Sequence, residues 1–428
     1  MPQPTQPALF ATPAKPVRRS TNSTTFANNM SLPIHRWFRY SAGFSADWVA
    51  AEVERRGARR VLDPFAGSGT TLLAAQAVGA ETAGVELHPF VSRVARAKLL
   101  WTTDVGDFRA RAEKVLATSS ELQPDLSQAS DLTAKCFPPE SLGPLLAIRD
   151  AIEQHRQGDA VDELLWLALV GILRRCSPVG TAQWQYVLPG KTKARVALAF
   201  DAFQDQVGVM SHDMETRQAE QQSPPPRALL SEADVRQPFA IGEGWADLVI
   251  TSPPYANNYD YADSARLEMT FLGDIGSWGD LKPLRQKLVR SCTQQMARYD
   301  GDDVLRNSPG LEPIRAELAE VYAELAEVRQ TKGGKKAYHS MIVAYFDDMA
   351  TAWQQIRRST APGGEVCFVV GDSAPYGVHV PVEKWLGVLA LAAGFGEWEF
   401  EKVRTRNDKW ENRKHRVPLH EGRLWVAG

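Results

Sequence analysis

A chain of 428 residues, 44% hydrophobic and 23% charged, can bury a large core and reads as one elaborated domain or two closely joined ones. No apolar run approaches the roughly 20 residues of a membrane span, and the opening MPQPTQPALFATPAKPVRRS has no continuous hydrophobic region, so neither a spanning helix nor a signal peptide is expected. The net charge of −2 gives no global attraction for nucleic acid. The four scattered cysteines (Cys136, Cys176, Cys292, Cys367) form no CxxC pair, so no zinc site or disulfide framework is expected and a reducing cytoplasm fits.

In chain order, residues 1–33 read as a mobile tail. Residues 34–103 contain the clearest unit, RRVLDPFAGSGTTLLAAQAVGAETAGVELHPF at 59–90. It reads as a short buried strand, a Gly-rich turn, a helix to about Val78, and a second strand from Thr82 to Val85 ending in Glu86. This is the start of a doubly wound α/β sheet. Residues 104–226 are helix-rich and end in the linker-like QAEQQSPPPR. In 227–273 a third strand is expected near RALLSEAD and a fourth in ADLVITSPPY. Residues 274–338 form a second helical insertion. Within it Leu311, Ile314, Leu318, Val321, Leu325 and Val328 repeat at three and four residues, one amphipathic face that should pack on its own domain. In 339–428 a fifth strand is expected at GGEVCFVVGDS, and the last ~35 residues read as an antiparallel pair closing the sheet.

The turn DPFAGSGTT lets Gly67 and Gly69 bring backbone close to a ligand at a helix N-terminus. Glu86, at the end of the second strand, is placed to bind both hydroxyls of a ribose. There is no GK[ST] and no third spaced glycine, which disfavours a phosphate loop or a dinucleotide site. An acid in the turn, Asp63, repels pyrophosphate but can hold an ammonium group, and S-adenosylmethionine suits that combination.

The second motif is ITSPPYANNYDY, residues 250–261. Two consecutive prolines fix two φ angles and remove two backbone donors, so Ser252 and the Pro253 carbonyl become rigidly aimed acceptors. An aromatic ring, Tyr255, follows immediately.

DPFAGSGTT, Glu86 and TSPPY together resemble the amino-directed DNA methyltransferases, which methylate N4 of cytosine or N6 of adenine; the matching segments cover about half of the chain. The resemblance implies a Rossmann-like methyltransferase sheet with a C-terminal antiparallel hairpin and two helical insertions. Asp63, Pro64, Phe65, Gly67, Gly69, Thr70, Thr71 and Glu86 would bind S-adenosylmethionine. Asp234, of SEADVRQPF, matches the acid that approaches the adenine. Phe44 and Ser45, in HRWFRYSAGFSADWV, match the segment that folds over the methionine end. Ser252, Pro253, Pro254 and Tyr255 would form the catalytic turn, drawing the target nitrogen toward sp³ geometry and stacking on a flipped-out base.

Serine in S-P-P-Y leans toward N4-cytosine, with N6-adenine as the alternative. Methylation of RNA and a non-catalytic DNA-binding subunit are the more distant readings. No Pro-Cys step supplies the nucleophile that C5-cytosine methylation needs. The cofactor motif precedes the catalytic one, so target recognition is expected between the motifs, after the catalytic one, or both, where the insertions 104–226 and 274–338 fall. The basic cluster Lys402, Arg404, Arg406, Lys409, Arg413, Lys414 and Arg416 is the expected DNA-phosphate contact. The expected partners are DNA and a cognate restriction endonuclease, with no membrane and no metal.

Overall fold

The computed structural model describes residues 26–40, 43–181, 187–193, 195–221, 224–406 and 417–428. Its strands are β1 (Arg60–Asp63), β2 (Glu81–Val85), β3 (Val179–Thr181), β4 (Val187–Thr192), β5 (Ala228–Ser231), β6 (Ala246–Thr251), β7 (Thr360–Gly371), β8 (Glu397–Thr405) and β9 (His420–Ala427). Seven of them build one sheet in the order β5-β2-β1-β6-β7-β9-β8. Neighbours from β5 to β7 pair parallel; β9 runs antiparallel to both β7 and β8. This is a Rossmann-like doubly wound sheet with an antiparallel C-terminal pair, and β9 fits between two strands made before it.

Both faces of the sheet are covered, and the two-residue period of a strand sorts its side chains between them. Leu62, Val249, Val366, Phe368, Val370 and Leu424 point into one core with the helices Tyr338–Ser359 and Val382–Ala392. Val61, Leu248, Ile250, Cys367, Val369 and Trp425 point into the other, against Ala46–Arg56 and Thr70–Ala77. Leu311, Ile314, Leu318 and Leu325 of the second insertion are buried in the first of these cores, with Val321 and Val328 packed at its margin.

The first insertion shares one apolar core with the N-terminal segment: Ile34, Trp37 and Phe38 pack with the helices Val105–Glu121, Pro139–Gln154, Ala160–Cys176 and Ala199–Glu220. Asp213, fully buried, fastens that junction. It accepts hydrogen bonds from Ile34 N (3.1 Å), Trp37 Nε1 (2.9 Å) and Arg36 Nε (3.0 Å). The insertion is also pinned to the segment after TSPPY, because Arg174 reaches the fully buried Glu268 with both Nε (2.6 Å) and Nη2 (3.0 Å). Among the described residues, no helix is long and apolar enough to cross a membrane.

Candidate active site

The parallel strands deliver their C-terminal ends to one edge, and between β1 and β6 the strand order reverses, which is where a doubly wound sheet opens a crevice. A cleft open to solvent lies there. Pro64, Phe65 and Gly67 from the Gly-rich turn, Glu86, Asp234, Ser252 and Pro254 all line it. Both motifs therefore meet in one cavity, tied together from below: Thr251 Oγ1 donates to Asp63 Oδ1 at 2.6 Å, and Thr71 Oγ1 to Ile250 O at 3.3 Å.

Glu86 is half-buried, and each of its oxygens takes one backbone N–H: Gly67 N to Oε2 (2.9 Å) and His88 N to Oε1 (2.8 Å). The glycine loop is thereby locked to the second strand. Burial pushes the Glu86 carboxyl up to about 7, opposed by those two N–H groups. Gly67 adopts φ +52, and a Cβ there would meet Tyr40 Cε1 at 3.3 Å. A side chain would close this end of the cleft.

Ser252 is oriented by its neighbour strand, since its Oγ donates to Val369 O at 3.0 Å. With the hydroxyl proton committed there, the oxygen offers lone pairs to a donor such as an amine. Tyr255 N donates to Tyr261 OH (3.0 Å), and Ser373 Oγ donates to Ala256 O (2.6 Å), so the turn is held on both flanks. Burial raises the Tyr255 phenol above its ordinary range and lifts that of Tyr261 to about 12.

Several expected residues lie elsewhere. Asp63 is 1% exposed and spends Oδ1 on Thr251 and on Phe65 N (3.1 Å); burial pushes it up to about 6. It braces the turn and offers no carboxylate to an ammonium group in the cleft. Gly69, at φ +85, starts the helix Thr70–Ala77 against Ala95, and Thr70 and Thr71 are buried beneath the turn. Phe44 packs edge-on against Trp48, and Ser45 caps the helix Ala46–Arg56 by accepting from Trp48 N. Of that segment it is Tyr40 that reaches the cleft. Pro253 is buried, and Tyr255 lies outside the cleft lining. Asp234 is in the lining, with its carboxylate already gripped by Arg236 Nε (2.9 Å) and Nη2 (2.7 Å).

The basic cluster divides. Lys402 is exposed; Arg404 is forked onto Glu421 (3.0 and 3.0 Å); Arg406 turns inward. Lys409, Arg413, Lys414 and Arg416 lie outside the described residues.

Residues that the motifs did not flag complete the wall: Tyr40, His88, Val235, Tyr261, Leu288 and Val289. Tyr261 stands six residues after Tyr255 in the same aromatic run, a signal that was present. Leu288 and Val289 come from the second insertion and carry none. His88 is 3% exposed, and neither ring nitrogen makes a hydrogen bond. Burial pulls it down to about 4, with the nearby Ala262 carbonyl opposing, so the imidazole is neutral.

No family model matches the chain. It is 24% identical over 414 residues to the Type II methyltransferase M.BsoBI of Geobacillus stearothermophilus, covering 87% of this chain and 80% of that protein. It is 26% identical over 404 residues to the Type II methyltransferase M.AvaI of Nostoc sp. (strain PCC 7120 / SAG 25.82 / UTEX 2576) and to that of Anabaena variabilis, covering 88% of this chain and 82% of each. Its curated homologues are Type II methyltransferases.

The methyl donor of that class is S-adenosylmethionine. The cleft fits it on its own evidence. Glu86 keeps a lone pair on each oxygen for ribose hydroxyls, the orphaned His88 nitrogens lack a partner that a polar ligand would supply, and Phe65, Val85, Leu87 and Val235 form an apolar wall for a purine.

Proposed function

We propose that this chain is a DNA methyltransferase acting on the exocyclic N4 amine of cytosine in a flipped-out base. The observation that carries the reading is Ser252, a rigidly held oxygen with its proton directed away to Val369, in the same cleft as Glu86 and Gly67. Glu86, Gly67 and His88 would hold the nucleoside part of S-adenosylmethionine, and Asp234 would take the adenine amine. Bound there, the cofactor supplies a methyl group on a sulfonium, an electrophile that needs no metal.

An exocyclic amine is a poor nucleophile because its lone pair is delocalised into the ring. Ser252 Oγ would accept one N–H and the Pro253 carbonyl, aimed by the two-proline step, the other, which localises the lone pair on nitrogen and stabilises the positive charge that develops there. The C–N bond forms as the methyl's C–S bond breaks, and the nitrogen then sheds one N–H proton to solvent. Acceptors fixed before the reaction cost no reorganisation during it. Tyr255 supplies an aromatic surface that offsets the loss of stacking by about 1 to 3 kcal/mol.

The cysteines support an amine target over a ring carbon. All four are buried, and burial raises Cys136 and Cys176 to about 11, Cys292 to about 12 and Cys367 further still, so none offers a thiolate.

The test is incubation with labelled S-adenosylmethionine and duplex DNA, followed by mass spectrometry of the digested nucleosides. N4-methylcytosine is expected; N6-methyladenine alone would overturn the choice of base, and label in RNA alone the choice of polymer. Ser252→Ala should lower turnover by about 10²- to 10³-fold while cofactor affinity holds.

A further inference from the structure

Arg406 stands out because the sequence places it in a basic cluster and the structure removes it from that role. Its guanidinium carbon lies 5.2 Å from the centroid of the Tyr255 ring. Nη1 donates to Asp372 O (3.0 Å), the backbone N donates to Leu419 O (2.8 Å), and Nε lies 3.7 Å from Glu421, a carboxylate only 5% exposed. The side chain itself is 16% exposed. Gly371, the last residue of β7, makes room for it: a Cβ there would come within 2.8 Å of Arg406 Nη1 and 2.9 Å of His420 O. Any other residue at 371 would push the arginine off the end of the strand.

We propose that Arg406 is a positioning residue that holds the Tyr255 ring by covering one of its faces, leaving the other for the target base. This rests on the methyl-transfer reading of the TSPPY turn. The backbone of that turn is held by Tyr261, Ser252 and Ser373. Those bonds fix where the chain goes, and the phenol interacts with the Ser252 side chain, so what remains to be set is the tilt of the ring between these points. A cation over the ring is attracted to its electron-rich face and resists a change of that tilt. The same anchors argue against phosphate binding. To reach DNA, Arg406 would have to give up Asp372 O and Glu421, and the latter would lose one of its two arginines.

The experiment compares Arg406→Met, which keeps the stem and loses the charge, Arg406→Lys, which keeps a charge, Tyr255→Leu, and the double variant Arg406→Met/Tyr255→Leu. Single-turnover methylation should slow about 3- to 30-fold in Arg406→Met, the range expected of a cation over an aromatic ring, with partial recovery in Arg406→Lys. S-Adenosylmethionine affinity and the salt dependence of DNA binding should not change. In the Tyr255→Leu background, Arg406→Met should add nothing.

A flattened salt dependence with an undiminished single-turnover rate would overturn the proposal in favour of a phosphate contact. Equal losses with and without Tyr255 would overturn it as well. Wild type, Arg406→Met, Tyr255→Leu and the double variant, unfolded in urea without DNA, should show non-additive stabilities. That readout survives if the wild-type chain methylates no DNA, so failure of the functional reading and failure of this one are told apart.

Discussion

The proposed ribose-binding role of Glu86, together with the burial that pushes its carboxyl up to about 7, makes cofactor binding a proton-linked event. Ribose hydroxyls donate to the carboxylate form, so a protonated Glu86 must release its proton before it can accept them. The sign follows: affinity for S-adenosylmethionine is full above about pH 7 and falls as pH drops, by up to about tenfold per unit. His88, down at about 4, stays neutral through the window. Glu86→Gln should bind weakly and with a flat profile. Calorimetry from about pH 5.5 to 8 in two buffers of different ionisation enthalpy checks this, and subtracting the Glu86→Gln profile removes the ligand's own titration. A wild-type profile as flat as that of the variant would place the ribose elsewhere.

Among the elements, the helix Arg266–Leu272 follows the TSPPY turn and is fastened to the first insertion by Arg174 and Glu268. Glu268 is fully buried, so Arg174→Met leaves a charge without its partner and should cost about 3 to 5 kcal/mol in urea unfolding. Replacing both residues by apolar ones of similar volume should return much of that. At this scale the sequence was a good guide where burial acts on both faces. VL in β1, LVI in β6 and CFVV in β7 are short apolar runs because each strand has a core on either side. The hairpin β3–β4 was not legible, since VGT and VLPGKT carry the glycine and proline that argue against strands. Nor could pattern choose Tyr40 over Phe44 for the cleft. Both are aromatic residues of one segment, and their fates depend on Trp48 receiving one and the glycine loop receiving the other. His88 was hidden for a similar reason: an orphaned nitrogen shows itself only once every neighbour is in place.

For the molecule as a whole the net charge is −2, so DNA affinity has to come from local groups. Arg404 is committed to the buried Glu421, so Arg404→Ala should lower stability and leave the salt dependence of DNA binding nearly unchanged. Lys402 is exposed on the same strand, and if it meets a phosphate Lys402→Ala should flatten that dependence by about 0.9 for each phosphate no longer neutralised, measured by titration across salt concentrations. The strand order carries one more consequence. β8 precedes β9 in the chain, yet β9 takes the inner slot between β7 and β8. β8 therefore has no neighbour to pair with until β9 arrives, and Leu419, just before β9, and Glu421, within it, supply part of the seat of Arg406. On the proposed role of Arg406, the bedding of Tyr255 should therefore be a late event in folding, with the cleft around Glu86 assembled while the Tyr255 ring is still loose. Cofactor binding should return before methylation when the denatured protein is refolded, and the lag between the two measures how long β8 waits.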